Sequence, residues 1–372
     1  MPKVIDLFAG AGGLSLGAAR AGFELASAVE LDAFALATHK KNFPSAIHLE
    51  NDVSELTGRR LLELSDLTSG ELDGLIGGPP CQGFSMIGKR DISDMRNNLF
   101  DHFFRLVSET KPAFFLAENV PGILDAKYDE IRDKAFSRID RDTYRLLPPI
   151  EVNASRYGAP TTRTRIFFFG YDPTRFHKEF ETEDFSPKAD TRQILVGEAL
   201  IGLPKRIDCR WISEESGWRK VEKTGSGEFF DRITNSVPKN VGDPYLVERY
   251  MEKDFVSGCM GTRHSEEVKA RYGALKYGEA DKISRSVRLD PKGFCPTLRA
   301  GTAKDKGSYQ AVRPIHPESA RVITPREAAR LQGFPDWFVF HSTKWHSFRQ
   351  IGNSVSPIVS EHLLRTIANN TA

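Results

Sequence analysis

Between Val4 and Glu30 the chain reads as strand, glycine-rich turn, helix and second strand, and this unit restricts the possible folds more than any other part of its 372 residues. Val4-Ile5-Asp6-Leu7-Phe8 is a strand-like apolar run, and Ala9-Gly10-Ala11-Gly12-Gly13-Leu14-Ser15-Leu16-Gly17 turns it into a small-residue helix ending near Gly22. Glu24 to Val29 is the next run, closed by Glu30. This is the layout of a nucleotide-binding βα turn, so the unit predicts an α/β fold with an open sheet. A glycine turn with a carboxylate about twenty residues on places a nucleotide-type ligand at a helix N-terminus and its ribose on the acid. The dinucleotide fingerprint is not met, because Ser15 stands where a third glycine is required, which argues against an NAD-dependent oxidoreductase. A third run, Ala46 to Leu49, ends in Glu50-Asn51-Asp52, with Asp52 placed to accept from an adenine amino group. Together the three strand ends describe a pocket for an adenosine-type cofactor that lacks a pyrophosphate.

Further on, the apolar run from Asp73 to Ile76 stops at Gly77-Gly78-Pro79-Pro80-Cys81-Gln82-Gly83-Phe84-Ser85. A cysteine held between Pro-Pro and Gln-Gly sits in a turn at a strand's carboxyl end, where open α/β sheets present ligands, so Cys81 is a candidate nucleophile. Residues 86–98 are polar, carry Lys89, Arg90 and Arg96, and read as an active-site loop. A helix is predicted from Leu99 to Glu109, then a strand from Ala113 to Ala117 that leads into Glu118-Asn119-Val120-Pro121-Gly122, making Glu118 a candidate acid. Tyr144 to Asn153 and Ile166 to Tyr171 read as antiparallel strands, and alternation places Arg163 and Arg165 on one side of the extended segment between them.

At about 100 to 200 residues per domain the chain should hold about two. From about Phe185 the regular periodicity is lost apart from a helical stretch at Pro244 to Lys253, and it returns at Thr324-Pro325-Arg326-Glu327, a capping box with proline at the first helical position. The last landmark, Gln350-Ile351-Gly352-Asn353-Ser354-Val355, leads into an amphipathic helix from Ile358 to Ala368. Residues 186–312 contain 23 Lys and Arg against 18 Asp and Glu, a balance of +5, which leaves 29 against 32, or −3, elsewhere. Basic charge concentrated in the irregular segment is compatible with a polyanionic partner. Cysteines at 81, 209, 259 and 295 have no C-x-x-C spacing, so neither a zinc site nor a disulfide framework is expected. No apolar stretch approaches a membrane span, and a cytoplasmic protein is expected.

Taken in order, these motifs resemble the DNA cytosine-5 methyltransferases that use S-adenosylmethionine, in their compact restriction-modification form. The likeness runs over residues 4 to about 170 and about 313 to 368. It rests on Asp6–Gly17, Gly78-Pro79-Pro80-Cys81-Gln82, Glu118-Asn119-Val120, Arg163-Thr164-Arg165, Arg321–Asp336 and Gln350–Val355. The resemblance implies a Rossmann-like mixed sheet of the S-adenosylmethionine-dependent methyltransferases. Residues 1–185 would form the catalytic and cofactor-binding domain, 186–312 a smaller irregular target-recognition domain, and 313–372 a return to the catalytic domain.

The resemblance further implies Cys81, Glu118, Arg163 and Arg165 as catalytic residues. Phe8, Ala11, Gly13, Glu30, Leu31, Asp52, Val53, Gly78, Pro80, Leu99, Asn353 and Val355 would line the S-adenosyl-L-methionine pocket. Gln82, Ser85, Arg96, Thr297, Leu298 and Arg299 would contact double-stranded DNA. A monomer with a companion restriction endonuclease is the expected setting, and no metal is expected. Two departures stand out: Leu31 replaces a common aromatic residue, and Thr161 replaces a common glutamine. A tRNA methyltransferase of the same fold, or a non-catalytic DNA-binding relative, is the alternative. The tRNA branch carries a Cys-Phe-Thr signature where this chain has Cys295-Pro296-Thr297.

Overall fold

The computed structural model describes residues 1–80, 98–208, 210, 217–235, 237–300 and 313–371. Five parallel strands come first along the chain: β1 (Lys3–Leu7), β2 (Glu24–Val29), β3 (Ile47–Leu49), β4 (Gly74–Gly77) and β5 (Phe114–Asn119). β6 (Arg145–Leu146), β7 (Ile150–Asn153) and β8 (Thr164–Tyr171) add an antiparallel edge. The resulting sheet has the order β3-β2-β1-β4-β5-β8-β6, with β7 also paired to β8. Side-chain alternation divides the core between its two faces. Val4, Ile76, Leu116 and Phe169 pack on one side, and Ile5, Leu75, Phe115 and Phe168 on the other.

The first face is covered by α1 (Gly13–Ala21) and the C-terminal α12 (Pro357–Ala368), the second by α3 (Gly58–Leu64) and α4 (Asn98–Thr110). Phe100, Phe103, Phe104 and Val107 form an apolar stripe at helical spacing along α4, and all four are fully buried. α2 (Ala33–Asn42) starts where Asp32 accepts from the backbone N–H groups of Phe34 and Ala35. α5 (Asp129–Phe136) packs beside α4.

The middle of the chain supplies the short helices α6 (Val196–Ala199) and α7 (Glu228–Phe230), the longer α8 (Pro244–Lys253) and α9 (Glu266–Ala274), and a two-stranded ribbon of β9 (Arg219–Lys220) and β10 (Phe255–Val256). Its Phe185, Phe229, Tyr250 and Leu298 belong to the same continuous apolar core as the α1 face. Helix α10 (Pro325–Leu331) begins at the Thr324–Glu327 capping box, and its buried arginines tie the middle segment down. Arg326 donates to the Ser257 carbonyl at 2.9 Å and Arg330 to the Ala199 carbonyl at 3.2 Å. α11 (Lys344–Asn353) and α12 (Pro357–Ala368) close the fold. A Cβ on Gly17 would lie 2.6 Å from the Glu361 backbone nitrogen, so only glycine lets α1 and α12 approach this closely.

Three of the boundaries that differ from the sequence expectation have a visible physical reason. β1 stops at Leu7, because Phe8 takes a left-handed φ of 59°. β5 runs on through Glu118 and Asn119, which pair with Phe167 and Ile166 of β8. The expected strand from Tyr144 to Asn153 is two strands, separated at Pro148-Pro149, which cannot donate to a ladder. Among the described residues no helix is long and apolar enough to cross a membrane.

Candidate functional site

The parallel register sets the site. Leu7 lies beside Val29 and Gly77, Val29 beside Leu49, and Gly77 beside Ala117. The residues that follow each strand therefore share the carboxyl edge of the sheet, where open α/β folds hold their ligands.

On the β1–β3 side the three glycines of the first turn divide their work. A Cβ on Gly12 would meet the Phe43 ring at 2.3 Å and one on Gly13 the Val355 carbonyl at 2.3 Å, so both serve packing. Gly10, at φ 56°, has among the described residues only the Phe8 carbonyl within 4.0 Å of that position, leaving its backbone accessible to a ligand. Ala11 is buried against the core. Glu30 accepts from Gly10 N–H at 2.9 Å and Asp32 N–H at 2.8 Å, and burial holds its carboxyl above the usual carboxylate range. A carboxylate has about four lone-pair sites, so capacity for ribose hydroxyls is left over. Leu31 is 61% exposed next to it, an apolar surface fit for an adenine ring. Asp52 is half-buried and accepts from the Ser54 N–H and hydroxyl, while Val53 is buried. Asn353 is exposed at the end of α11, and Leu99 is half-buried in the first turn of α4. Open backbone, carboxylate and apolar face in this order fit S-adenosylmethionine.

On the β4–β5 side, Glu118 is 8% exposed, and its Oε1 lies 2.7 Å from Arg165 Nε across the β5–β8 pair. A Cβ on Gly78 would lie 3.2 Å from Glu118 Oε2, so the turn that leads through Pro80 runs directly against the carboxylate. Asn119 reaches back to the Pro79 carbonyl at 3.5 Å and strengthens that approach. Arg163, 3% exposed, points elsewhere: it donates to the carbonyls of Gly352 at 2.9 Å, Leu298 at 3.4 Å and Asn353 at 3.4 Å. Thr297 and Arg299 are exposed on either side of the buried Leu298. Cys81, Gln82, Ser85 and Arg96 lie outside the described residues, as do residues 86–97 of the expected loop, whose last residue, Asn98, instead opens α4.

A buried polar chain beneath the glycine turn was not read as a site from the sequence. Ser15 Oγ donates to Asp6 Oδ2 at 2.5 Å and lies 2.9 Å from His39 Nε2, whose Nδ1 lies 2.9 Å from His48 Nε2. Asp6 is fully buried, and its Oδ1 has no hydrogen-bond partner among the described residues. Burial pushes its carboxyl from 3.8 up to about 7, and pushes both imidazoles down. The one signal available in advance was an acid inside an apolar strand with Ser15 replacing the fingerprint glycine.

The sign of the pH effect follows from that shift. Asp6 binds a proton more tightly folded than unfolded, so its contribution to stability is complete below the unfolded value and is lost as pH rises through about 7. Asp6→Asn removes the titration. The stability difference between variant and wild type should shift in the variant's favour by roughly 3 kcal/mol from about pH 5 to about pH 8. Urea unfolding at both pH values measures it, and a pH-independent difference would refute the assignment.

The family model described as C-5 cytosine-specific DNA methylase matches residues 2–369. The type II methyltransferase M.XorII of Xanthomonas oryzae pv. oryzae is 39% identical over 96% of this chain and 82% of its own length. The type II methyltransferase M.DdeI of Desulfomicrobium norvegicum is 31% identical over 98% and 88%. Among solved structures, a prophage-encoded protein of E. coli described as a DNA modification methyltransferase superposes with a TM-score of 0.89 at 52% identity, covering 99% of both chains. The S. pombe Dnmt2 methyltransferase shares the fold with a TM-score of 0.63 at 18% identity, covering 98% of both.

Proposed function

The chain belongs to the C-5 cytosine-specific DNA methylase family and is a DNA cytosine-5 methyltransferase, and from that premise we propose how its residues divide the reaction. In this reading it methylates C5 of a cytosine flipped out of a specific duplex sequence, through a covalent adduct on Cys81. It would serve as the modification partner of a restriction endonuclease. The observation that carries the reading is the approach of Gly78–Pro80, Glu118 and Arg165 at one sheet edge, beside the Gly10, Glu30 and Leu31 surface.

S-adenosylmethionine, when bound, supplies an electrophilic sulfonium methyl. Glu30 would hold the ribose hydroxyls, Asp52 the adenine amino group and Leu31 the ring face, with the backbone around Gly10, Gly13, Gly78, Asn353 and Val355 completing the pocket. C5 of cytosine is a poor nucleophile because its ring is electron-deficient. Addition of the Cys81 thiolate to C6 forms a C–S bond and moves the C5–C6 π electrons onto C5 and the ring. A cysteine thiol has a pKa of about 8.5 unless cations lower it, and Arg165, the arginine on the Glu118 side, would supply positive charge there.

As sulfur adds, negative charge develops on the pyrimidine. Glu118 would meet it at N3 by a hydrogen bond or proton, and Arg165, held by its ion pair, would donate to O2. After C5 gains the methyl, loss of its proton to a base re-forms the double bond and expels the thiolate. The target base must leave the stack, at a cost of a few kcal/mol. Gln82, Ser85, Arg96, Thr297, Leu298 and Arg299 would grip the strand that presents it, and residues 186–312 would select the sequence. Bisulfite sequencing of DNA from cells expressing the chain should show protected cytosines within a single recurring sequence. No protection, or protection confined to tRNA, would reject the reading.

A further inference from the structure

Three segments far apart in sequence meet at one point behind the Glu118–Arg165 pair. Backbone pairing joins the first two: Cys295 N–H donates to the Pro160 carbonyl at 2.9 Å, and Thr162 N–H to the Cys295 carbonyl at 3.0 Å. The third is the end of α11. A Cβ on Gly352 would lie 2.7 Å from both the Ala300 nitrogen and the Arg299 carbonyl carbon, so these backbones touch with no room for a side chain. Into this junction Arg163 sends one buried guanidinium that donates to carbonyls on both sides, Leu298 on one and Gly352 and Asn353 on the other. Arg165, two residues along, holds Glu118.

Each segment carries a different ligand in the functional reading given above, on which this inference rests: 297–299 the DNA, 352–355 the cofactor, and 163–165 the reacting base. We propose that Arg163 and Gly352 are positioning residues that fix the base-recognition segment on the cofactor segment, so that S-adenosylmethionine and target DNA bind interdependently. The physical basis is the rigidity of the link. A planar guanidinium donating to several carbonyls constrains their mutual placement in a way that the single ammonium of lysine does not. Two backbones in van der Waals contact at a glycine cannot move independently of each other. DNA that settles Leu298 and Arg299 therefore also settles Gly352 and Asn353, and by linkage the cofactor returns the same factor to DNA affinity.

The test is calorimetric titration of S-adenosylhomocysteine into the full chain, alone and with a short duplex carrying the site mapped by bisulfite sequencing. Wild type, Arg163→Lys and Gly352→Ala are compared, with thermal unfolding confirming that each is folded. Duplex should raise wild-type S-adenosylhomocysteine affinity on the order of tenfold. In each folded variant that ratio should fall towards one. Damage to the pocket alone would lower the affinity and leave the ratio, so the ratio isolates the positioning role. If Arg163→Lys does not fold, Gly352→Ala decides. A wild-type ratio retained in a folded variant overturns the inference, as does a ratio of one in a wild type that binds both ligands. A wild type that binds neither overturns the functional reading itself, and the inference with it.

Discussion

Replacing Cys81 by alanine is expected to reduce methyl incorporation into DNA by on the order of 10⁴-fold or more, because in the proposed route the activated form of the base exists only as the thiolate adduct. Affinity for S-adenosylhomocysteine should stay within about threefold of wild type, since the residues proposed to hold it, Glu30, Leu31 and Asp52, are supplied by other strand ends. Tritiated-methyl transfer and calorimetry measure the two quantities. A duplex carrying 5-fluorocytosine at the mapped site gives a second readout. Fluorine cannot leave C5 as a proton does, so wild type should accumulate a denaturation-resistant complex and Cys81→Ala none. Full turnover by the alanine variant would remove the covalent route.

The parallel half of the fold was legible because each strand is a short apolar run ended by a residue with a definite physical meaning: a glycine turn after β1, Glu30 after β2, Glu50 to Asp52 after β3 and Gly78 to Pro80 after β4. Runs of this kind are buried on both faces, which only a covered parallel sheet provides. The antiparallel edge was less legible. Glu118 and Asn119 look like the start of a loop, yet β8 offers Phe167 and Ile166 as ladder partners, and pairing extends the strand past its apolar stretch. In the middle segment, short helices and a two-residue ribbon gain their stability from the shared core, so periodicity had little to report.

The site divides along the same line. Glu30, Asp52, Glu118 and Arg165 could be read because each stands at a strand end and register brings the ends together. Arg163 could be singled out but its partners could not: they lie 135 and 189 residues away, and an arginine beside Arg165 carries no local sign that it serves carbonyls. The Asp6–Ser15–His39–His48 chain was hidden for a related reason. Its members come from β1, α1, α2 and β3, and they become one network only when the sheet stacks those elements.

Glu118→Gln separates two roles that one carboxylate could fill. As the ion partner of Arg165 it fixes the guanidinium at 2.7 Å, and as an acid toward N3 it meets charge that exists only while sulfur is bonded to C6. Glutamine keeps the shape, an oxygen for Arg165 and an amide N–H that can hydrogen-bond N3, but it cannot transfer a proton and carries no charge. The turnover rate should fall roughly 10²- to 10⁴-fold, the range expected for loss of positioned acid catalysis. S-adenosylhomocysteine affinity should hold, and the 5-fluorocytosine complex should still form but more slowly, because addition of Cys81 is the step that builds the charge. Single-turnover kinetics of adduct formation locate the loss. Slow adduct formation in a variant that melts like wild type assigns the proton to Glu118. Wild-type turnover would reduce the residue to a support for Arg165, and the stabilisation of the ring would then rest on the guanidinium alone.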